Sequence, residues 1–249
     1  MNVAIDIGNT RTKIAFFEKN EQVDHAFWVH WTLEDLDLRL KGRNIDGVIL
    51  SASGKEPEQL EAFLKERYFF LRLEHTTALP ITNTYKTPRT LGKDRLAAVT
   101  GAYCADKRLG KERNNLVIDA GTCVTYDYIN QNGEYLGGNI SPGLEMRLKA
   151  MHAFTAKLPL VEKNETQWGL LGNDTESALR NGAIVGLMAE IKGMAALFRH
   201  NIAPMDIILT GGDSEFLMNN IHIKNSFWLP NLVLDGLNDI LEYNSRSNN

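Results

Sequence analysis

The stretch Asn2-Val-Ala-Ile-Asp-Ile-Gly-Asn-Thr10 joins a short apolar run to an acid and a glycine turn. The apolar residues of 2–7 predict a buried strand that ends in Asp6 and Ile7. Gly8-Asn9-Thr10 predicts a tight turn, since Gly and Asn favour such turns. Arg11–Phe17 and Val23–Val29 then predict a second and a third strand, so the chain should open with three consecutive strands.

The same order recurs near residue 115. Asn115-Leu-Val-Ile-Asp119 predicts a strand ending in an acid, Ala120–Cys123 a turn, and residues 124–129 and 134–140 two further strands. Aligning Asp6 with Asp119 also aligns Gly8 with Gly121 and Thr12 with Thr125. An internal repeat of this kind predicts a duplicated architecture, whereas two ordinary hairpins that match by chance are the alternative.

Each set of three strands is followed by helices and further strands. The predicted strands are Ile45–Ala52, Phe69–Leu73 and Asp206–Leu209, and the predicted helices are Thr32–Leu40 (with Thr32 as N-cap), Pro57–Arg67, Asp94–Lys107, Pro142–Met151, Glu176–Phe198 and Leu232–Tyr243. We therefore expect two α/β domains, residues 1–114 and 115–249, divided in the polar stretch 109–115. The last six residues, Asn244–Asn249, are predicted to fray.

Composition restricts the class of protein. The chain has 249 residues, 43% hydrophobic and 23% charged residues, and a net charge of −4 with His neutral. These values are typical of a globular protein and disfavour one built around a nucleic-acid backbone. Two cysteines fit a reducing compartment. No signal peptide or run of about 20 apolar residues is visible, so we expect a soluble cytoplasmic protein without membrane contacts.

Common nucleotide and hydrolase motifs are absent from the sequence. It contains no G-x-x-x-x-G-K-[ST], no G-x-G-x-x-G, no H-E-x-x-H and no G-x-S-x-G. Phosphate chemistry in this chain therefore needs an architecture other than the P-loop.

The turn after Asp6 has the chemistry of a phosphate site. Gly8 lets the backbone approach a phosphate and present its N–H groups, while the Asp6 carboxylate suits Mg²⁺ or a metal-bound water. Asn9 and Thr10 add polar donors, and Lys13 could neutralise a transferring phosphate. The alternative is an ordinary turn in which Asp6 and Asn9 cap the backbone.

Asp119-Ala-Gly-Thr122 predicts a second such turn. If a pseudo-twofold axis relates the two halves, the turns face each other across a cleft, and two converging carboxylates then call for a cation. Thr122 would present its hydroxyl to a phosphate, although a threonine at a strand edge is common. Thr210-Gly-Gly-Asp213 is a third glycine turn, and its signal alone is weak.

Gly92-Lys-Asp-Arg95 opens a predicted helix. An acid in a first helical turn usually reflects the helix dipole alone. The functional interpretation is that Asp94 is a general base for an alcohol and that Arg95 binds a substrate carboxylate. Thr175 precedes another helix, where its ordinary role would be that of N-cap.

Five motifs in order resemble those of the type III pantothenate kinases, within the superfamily of sugar kinases, actin and the large heat-shock chaperones. They are Asp6-Ile-Gly-Asn-Thr-Arg-Thr-Lys13, Gly92-Lys-Asp-Arg95, Asp119-Ala-Gly-Thr122, Gly137-Gly-Asn-Ile-Ser-Pro-Gly143 and Leu209-Thr-Gly-Gly212. The resemblance covers nearly the whole chain. It implies a duplicated actin-like ATPase (ribonuclease H-like) fold, with two βββαβα-type domains around a nucleotide cleft.

The resemblance also implies an activity, ATP-dependent phosphorylation of pantothenate to 4'-phosphopantothenate, the first step of coenzyme A synthesis. By resemblance Asp94 is the proton acceptor, and Asp119 holds a monovalent cation, K⁺ or NH₄⁺, in addition to the Mg²⁺ bound with ATP. The ATP-binding residues would be Asp6, Ile7, Gly8, Asn9, Thr10, Arg11, Thr12, Lys13 and Thr122. Those for pantothenate would be Tyr85, Gly92, Lys93, Asp94, Arg95 and Thr175, the last from across a homodimer interface.

Two other functions stay open on the residues alone. One is another small-molecule kinase of the same superfamily, and Gly92-Lys-Asp-Arg95 is what favours pantothenate. The other is a non-enzymatic ATP-binding regulatory module. Asp94 beside an anion-binding arginine disfavours that module, because a switch needs no phosphate acceptor.

Overall fold

The computed structural model describes residues 1–246 and divides the chain into two compact units. The first unit comprises Met1–Glu112, Gln131–Leu136 and the segment from Asn231, and the second comprises Arg113–Asn130 and Gly137–Pro230. The change of unit at Glu112 lies two residues before the predicted boundary. The C-terminal helix, expected in the second domain, lies in the first unit. The division into repeat domains at residue 114 stays a prediction, because compact units need not coincide with repeats.

The first unit is built on a five-stranded sheet with the order β3-β2-β1-β4-β5. Its strands are β1 (Asn2–Ile7), β2 (Thr12–Glu18), β3 (Glu21–Trp28), β4 (Gly47–Ala52) and β5 (Phe69–Arg72). Strand β1 pairs antiparallel with β2 and parallel with β4. The helices of this unit are α1 (Leu33–Leu40), α2 (Leu60–Arg67), α3 (Lys93–Arg108) and α7 (Leu232–Arg246).

The second sheet has the order β11-β10-β7-β8-β9-β6. Its strands are β6 (Thr82–Asn83), β7 (Asn115–Ala120), β8 (Cys123–Ile129), β9 (Glu134–Pro142), β10 (Asp206–Thr210) and β11 (Ser226–Trp228). Strand β6 belongs to the first unit and pairs with the start of β9. The helices of the second unit are α4 (Leu144–Ala153), α5 (Thr175–Asn201) and α6 (Ser214–Asn220).

The two sheets repeat one topology. Reading β7 to β11 as strands one to five, the second sheet contains the order 3-2-1-4-5 of the first sheet, with an antiparallel first hairpin and parallel β7–β10 and β10–β11 pairs. Because both sheets keep this order and these directions, the predicted duplication is confirmed. The chain has a duplicated actin-like ATPase fold of the α/β class.

The hairpin registers differ between the repeats. Lys13 lies opposite Asp6 in the first hairpin, whereas Thr125 lies opposite Asp119 in the second. The alignment of Thr12 with Thr125 was therefore wrong by one residue, because the first hairpin turn is one residue longer. Thr125 occupies the place of Lys13.

Successive side chains of β1 point to opposite faces of the sheet, and each face packs against a different set of helices. Val3, Ile5 and Ile7 face a core that also contains Leu36 of α1 and Leu60 of α2. The even-numbered residues face the opposite side, where Asn2 Nδ2 donates to Asn238 Oδ1 of α7 at 3.0 Å. Asp6 therefore lies on the face that α3 and α7 cover.

Helices α3 and α7 pack closely against each other. A Cβ on Gly236 of α7 would overlap the carbonyl oxygen of Ala97 of α3, so only glycine fits there. Helix α7 also packs against β1, β2 and β4. Its described part runs to Arg246, so the fraying predicted from Asn244 was wrong up to that residue; residues 247–249 lie outside the described part.

Two helices begin at capping residues that can be recognised in the sequence. Thr32 caps α1 as predicted, and its Oγ1 accepts a hydrogen bond from the Asp35 backbone N–H at 3.3 Å. The N-cap of α5 is Asp174 rather than Thr175. The Asp174 carboxylate accepts from the Ser177 backbone N–H at 2.9 Å, and the Ser177 hydroxyl accepts from the Asp174 N–H in return. The prediction that Thr175 is the N-cap was therefore wrong.

Helix α5 is long and apolar. Within residues 1–246 it is the one helix whose length and composition would allow it to cross a membrane. Its inner face contributes Leu179, Ile184, Leu187 and Ile191 to the core of the second unit. The apolar character of α5 is therefore explained by its place in the core, because a buried core helix can be as long and as apolar as a membrane-spanning one.

Candidate active site

Asp6 lies at the centre of a row of polar side chains across three strands. It pairs with Lys13 on β2 and with Ser51 on β4. Directly opposed residues of neighbouring strands project from the same face of a sheet, so the three side chains stand together where β1 ends. Sequence reasoning missed Ser51, because its place beside Asp6 depends on the parallel pairing of β4 with β1.

The environment of Asp6 disfavours its charge. Burial, followed by the nearby Asp94 carboxylate, raises the pKa of Asp6 from 3.8 to about 6, while Lys13 and a hydrogen bond from Ser51 act in the opposite direction. A desolvated acid beside a second acid is a typical arrangement of a functional site. The structure thus brings together Asp6, Lys13 and Asp94, as a shared site requires.

The turn that follows Asp6 presents exposed polar residues. The Gly8 N–H donates to the Arg11 carbonyl at 3.2 Å, which closes the turn. Asn9, Thr10 and Arg11 are exposed. Thr12 is buried, and its hydroxyl accepts a hydrogen bond from Trp31 Nε1 at 2.9 Å. Trp31 therefore supports the end of the turn, a contact that no local pattern revealed.

Asp94 lies in the first turn of α3 against Gly92. Its Oδ1 accepts a hydrogen bond from the Arg95 backbone N–H at 2.9 Å. A Cβ on Gly92 would stand 2.5 Å from the same Oδ1, closer than any real contact. The backbone of Gly92 has an ordinary φ of −59° and ψ of 130°. A side chain at position 92 would therefore displace the Asp94 carboxylate, although the backbone itself would accept one.

Arg95 is buried, and its guanidinium lies against a stack of two tyrosine rings. Only 6% of its surface is exposed, and its guanidinium lies 5.7 Å from the centre of the Tyr85 ring. The Tyr85 ring stacks on Tyr135 at 6.1 Å with an angle of 11° between the planes. Tyr135 is fully buried. Tyr85 and Arg95 thus lie together in the first unit, and the resemblance had grouped the same two residues.

Lys93 turns toward a neighbouring carboxylate. Its Nζ lies 2.9 Å from Glu74 Oε1, and Arg72 binds the same oxygen through Nε at 3.2 Å. The resemblance grouped Lys93 with the substrate residues, and no sequence pattern identified Glu74. Its contact with substrate stays a prediction.

In the second unit, Asp119 lies against the glycine turn that follows β10. Gly211 has a φ of +94°, and a Cβ there would overlap Oδ1 of Asp119. This close approach gives a role to the third glycine turn, whose signal in the sequence was weak. Thr122 is exposed in the turn between β7 and β8.

The surroundings of Asp119 fit a cation. Thr125 lies opposite Asp119 in the hairpin, and its Oγ1 is buried without a hydrogen-bond partner. A buried hydroxyl oxygen without a partner costs free energy unless a ligand satisfies it. The acid pair of Asp6 and Asp94 likewise fits a divalent cation, since Mg²⁺ is commonly held by one or two carboxylates together with substrate phosphates.

No preformed cluster of three or more acidic, His or Cys side chains stands ready for a metal in residues 1–246. Thr175 is exposed as the first residue of α5.

Comparison with known proteins shows the family to which the chain belongs. Residues 2–197 match the family described as type III pantothenate kinase. The chain is 44% identical over 247 residues to the type III pantothenate kinase of Christiangramia forsetii, covering 98% of this chain and 99% of the relative. It is 41% identical over 249 residues to that of Bacteroides fragilis, with coverages of 98% and 99%.

Solved structures support the fold. A protein from Campylobacter jejuni named as a Baf family transcriptional activator has a TM-score of 0.62 and 24% identity, with 98% of this chain and 99% of that chain covered. An archaeal actin homolog has a TM-score of 0.54 and 11% identity, with coverages of 97% and 99%. At these identities the likeness shows the fold alone.

Proposed function

The chain belongs to the type III pantothenate kinase family and phosphorylates pantothenate at the expense of ATP, and we propose here how its residues divide that work. The family removes the alternative of a kinase for another small molecule. The observation that carries the proposal is the desolvated Asp6 with Asp94 beside it, at the end of β1.

Residues Asp6, Ile7, Gly8, Asn9, Thr10, Arg11, Thr12 and Lys13 form the proposed phosphate-binding turn. Exposed Asn9 and Thr10 and the backbone N–H groups of the turn donate to ATP oxygens. Lys13, opposite Asp6, supplies positive charge to the transferring phosphate. In the second unit, Thr122 contributes a hydroxyl to ATP.

Asp94 is the proposed proton acceptor. The Arg95 N–H holds its Oδ1, so the other carboxylate oxygen can accept the proton of the pantothenate hydroxyl. The hydroxyl oxygen forms a bond to the γ-phosphorus as the bond from that phosphorus to ADP breaks. Proton transfer late in this step suits a carboxylate, because phosphoryl transfer depends more on position and charge than on a strong base.

In this proposal Tyr85, Gly92 and Arg95 hold the acceptor, whereas Lys93, which the resemblance also assigns to pantothenate, is bound to Glu74. The buried guanidinium of Arg95 has the fork geometry that binds a carboxylate in two hydrogen bonds, and pantothenate carries one carboxylate. Tyr85 covers that guanidinium. Thr175 would reach pantothenate from the partner subunit of a homodimer, which its exposure at the start of α5 permits.

Kinases of this family act on ATP with a divalent metal, and we propose Mg²⁺ near Asp6. Bound with ATP, Mg²⁺ supplies positive charge that screens the phosphates from the two acids. We propose that Asp119 and the Thr125 hydroxyl hold K⁺ or NH₄⁺ in the second unit, since Thr125 Oγ1 is otherwise unsatisfied. A cytoplasmic location follows from the substrates of this proposal.

An assay of ADP release by the purified protein tests the proposed function. In K⁺ buffer with Mg²⁺, we expect release that depends on added pantothenate, with 4'-phosphopantothenate formed in equal amount. Binding of ATP without ADP release, whether or not pantothenate is present, would instead favour the non-enzymatic ATP-binding regulatory module. Equal release with another alcohol of similar size would contradict the assigned acceptor.

A further inference from the structure

Lys93 begins α3 without the support that a helix start usually has. The N-cap is Gly92, which provides no side-chain hydrogen bond to the first turn. A positive charge at this end of a helix is also unfavourable for the helix dipole. The Asp94 carboxylate supports this first turn by accepting the Arg95 N–H, but the charge of Lys93 needs support from outside the helix.

Glu74 provides that support. Its Oε1 lies 2.9 Å from Lys93 Nζ. The hydrogen bond from Lys93 is the largest of the effects that lower the pKa of the Glu74 carboxyl. The Glu74 backbone N–H donates to Thr77 Oγ1 at 2.8 Å, which in turn donates to the Arg72 carbonyl at 3.3 Å. The carboxylate thus belongs to a turn that is itself tied to the end of β5.

Arg72 extends the connection to α2. Its Nη2 binds Glu56 Oε1 at 2.8 Å, and its Nη1 binds Glu61 Oε2 at 3.1 Å. Its Nε binds Glu74 at 3.2 Å. Because one guanidinium orients three carboxylates in fixed directions, the network defines a geometry that a single exposed ion pair would not.

We infer that Glu74 is a positioning residue, which holds Lys93 and thereby the first turn of α3 where Asp94 can receive the substrate proton. The inference rests on the role proposed for Asp94. Lys93 then acts through Glu74 rather than as a ligand of pantothenate. Neither role could be recognised from sequence, since Glu74 lies nineteen residues before Lys93.

Hydrogen exchange tests the mechanical part independently of activity. In Glu74→Gln, the Leu96 amide, which donates to the Gly92 carbonyl at 3.2 Å, should exchange at least about 5-fold faster, because local opening of the first turn becomes easier. The last turn of α3 should be unchanged. Glu66→Gln, which breaks the exposed pair with Arg67, is the matched control and should leave Leu96 unchanged. Unaltered exchange in Glu74→Gln would overturn the inference, even if the protein proved inactive on pantothenate.

Kinetics test the catalytic part. We expect Glu74→Gln and Lys93→Met each to lower kcat about 10-fold with the KM for pantothenate within about 2-fold, since a small displacement of the acceptor acts on the transition state. The double variant should be no slower than either single variant, because both remove one interaction. Lys93→Arg, which can keep the ion pair, should recover most of kcat.

A different pattern would assign Lys93 to the substrate. If Lys93→Met raised the KM for pantothenate strongly while Glu74→Gln did not, Lys93 would be a ligand and the inference would be wrong. Losses of kcat that multiply in the double variant would contradict it equally. Thermal unfolding should remain near that of the wild type in all of these variants, since Lys93 and Glu74 are both partly exposed and solvent screens their ion pair.

Discussion

The carboxylate of Asp94 helps to raise the pKa of Asp6, so the first acid of the chain and the first acid of α3 act on each other inside one unit. Burial is the larger cause, and together they bring the pKa of Asp6 to about 6. A group that is costly to ionise in the folded state reduces stability at neutral pH. This cost is what a bound cation can relieve.

Asp6→Asn should stabilise the protein at alkaline pH. The folded pKa is raised, so the wild type loses stability as pH rises from the ordinary 3.8 through about 6. At pH 8 the variant should gain up to about 3 kcal/mol in the free energy of unfolding, and the gain should disappear near pH 4. Urea unfolding at both pH values measures this difference. Asp37→Asn, at an exposed acid of α1, should show no such difference, and a destabilised Asp6→Asn at pH 8 would refute the argument.

Asp94→Asn should remove turnover while ATP still binds. The amide oxygen can keep the hydrogen bond from the Arg95 N–H, so the shape survives, whereas proton acceptance is lost. We expect kcat to fall at least about 100-fold, in the range typical of a general base. Calorimetric titration with ATP should give an affinity close to that of the wild type. Turnover near the wild-type rate would remove Asp94 from the mechanism.

Gly92→Ala should impair catalysis without straining the backbone. The φ and ψ of Gly92 suit alanine, and only the Asp94 carboxylate opposes the new methyl group. Displacing that carboxylate should lower kcat about 10- to 100-fold, with ATP affinity unchanged. Gly169→Ala, where a Cβ meets nothing within 4 Å, is the control. Full activity of Gly92→Ala would show that Asp94 can function from another position.

Gly211→Ala should disturb the monovalent cation site. The new Cβ would overlap Asp119 Oδ1, and the φ of +94° is strained for alanine. We expect the wild type to be faster in K⁺ than in Na⁺ and the variant to lose this preference. The ratio of initial rates in the two salts is the measurement. If the wild type were indifferent to the exchange of cations, the role proposed for Asp119 would fail.

Arg95→Ala should weaken pantothenate more than ATP. Loss of a two-point contact to a carboxylate should raise the KM for pantothenate about 10-fold or more. The KM for ATP should change by less than about 2-fold. Steady-state kinetics with each substrate varied in turn gives both values. The reverse pattern would reassign Arg95 to the nucleotide.

The local sequence predicted the strands and the acids at their ends, because runs of apolar residues and glycine turns are each recognisable within a few residues. The duplication followed from the same signal, and the repeated order 3-2-1-4-5 confirms it. The register of Thr125 could not be predicted, since it depends on a turn shorter by one residue. Asp174 could have been recognised as the cap of α5, because Ser177, three residues later, has a hydroxyl that can bond to the Asp174 backbone. Thr175 has Ala178 at the corresponding position, and alanine has no polar side chain for such a bond.

Contacts between distant segments were beyond sequence reasoning. Ser51 reaches Asp6 only because β4 lies parallel to β1. Glu74 meets Lys93 only through the path of the loop that follows β5. Tyr85 was grouped with Arg95 by resemblance, but the stack that joins it to Tyr135 depends on the pairing of β6 with β9.

The placement of α7 in the first unit has a consequence for biosynthesis. Nascent chains fold as they leave the ribosome, and amino-terminal domains commonly finish first. Here the face of β1 that carries Asp6 and the flank of α3 stay uncovered until residues 232–246 have been translated. The half of the enzyme that is made first is therefore completed last, and a ribosome stalled after the second sheet would display an immature catalytic unit.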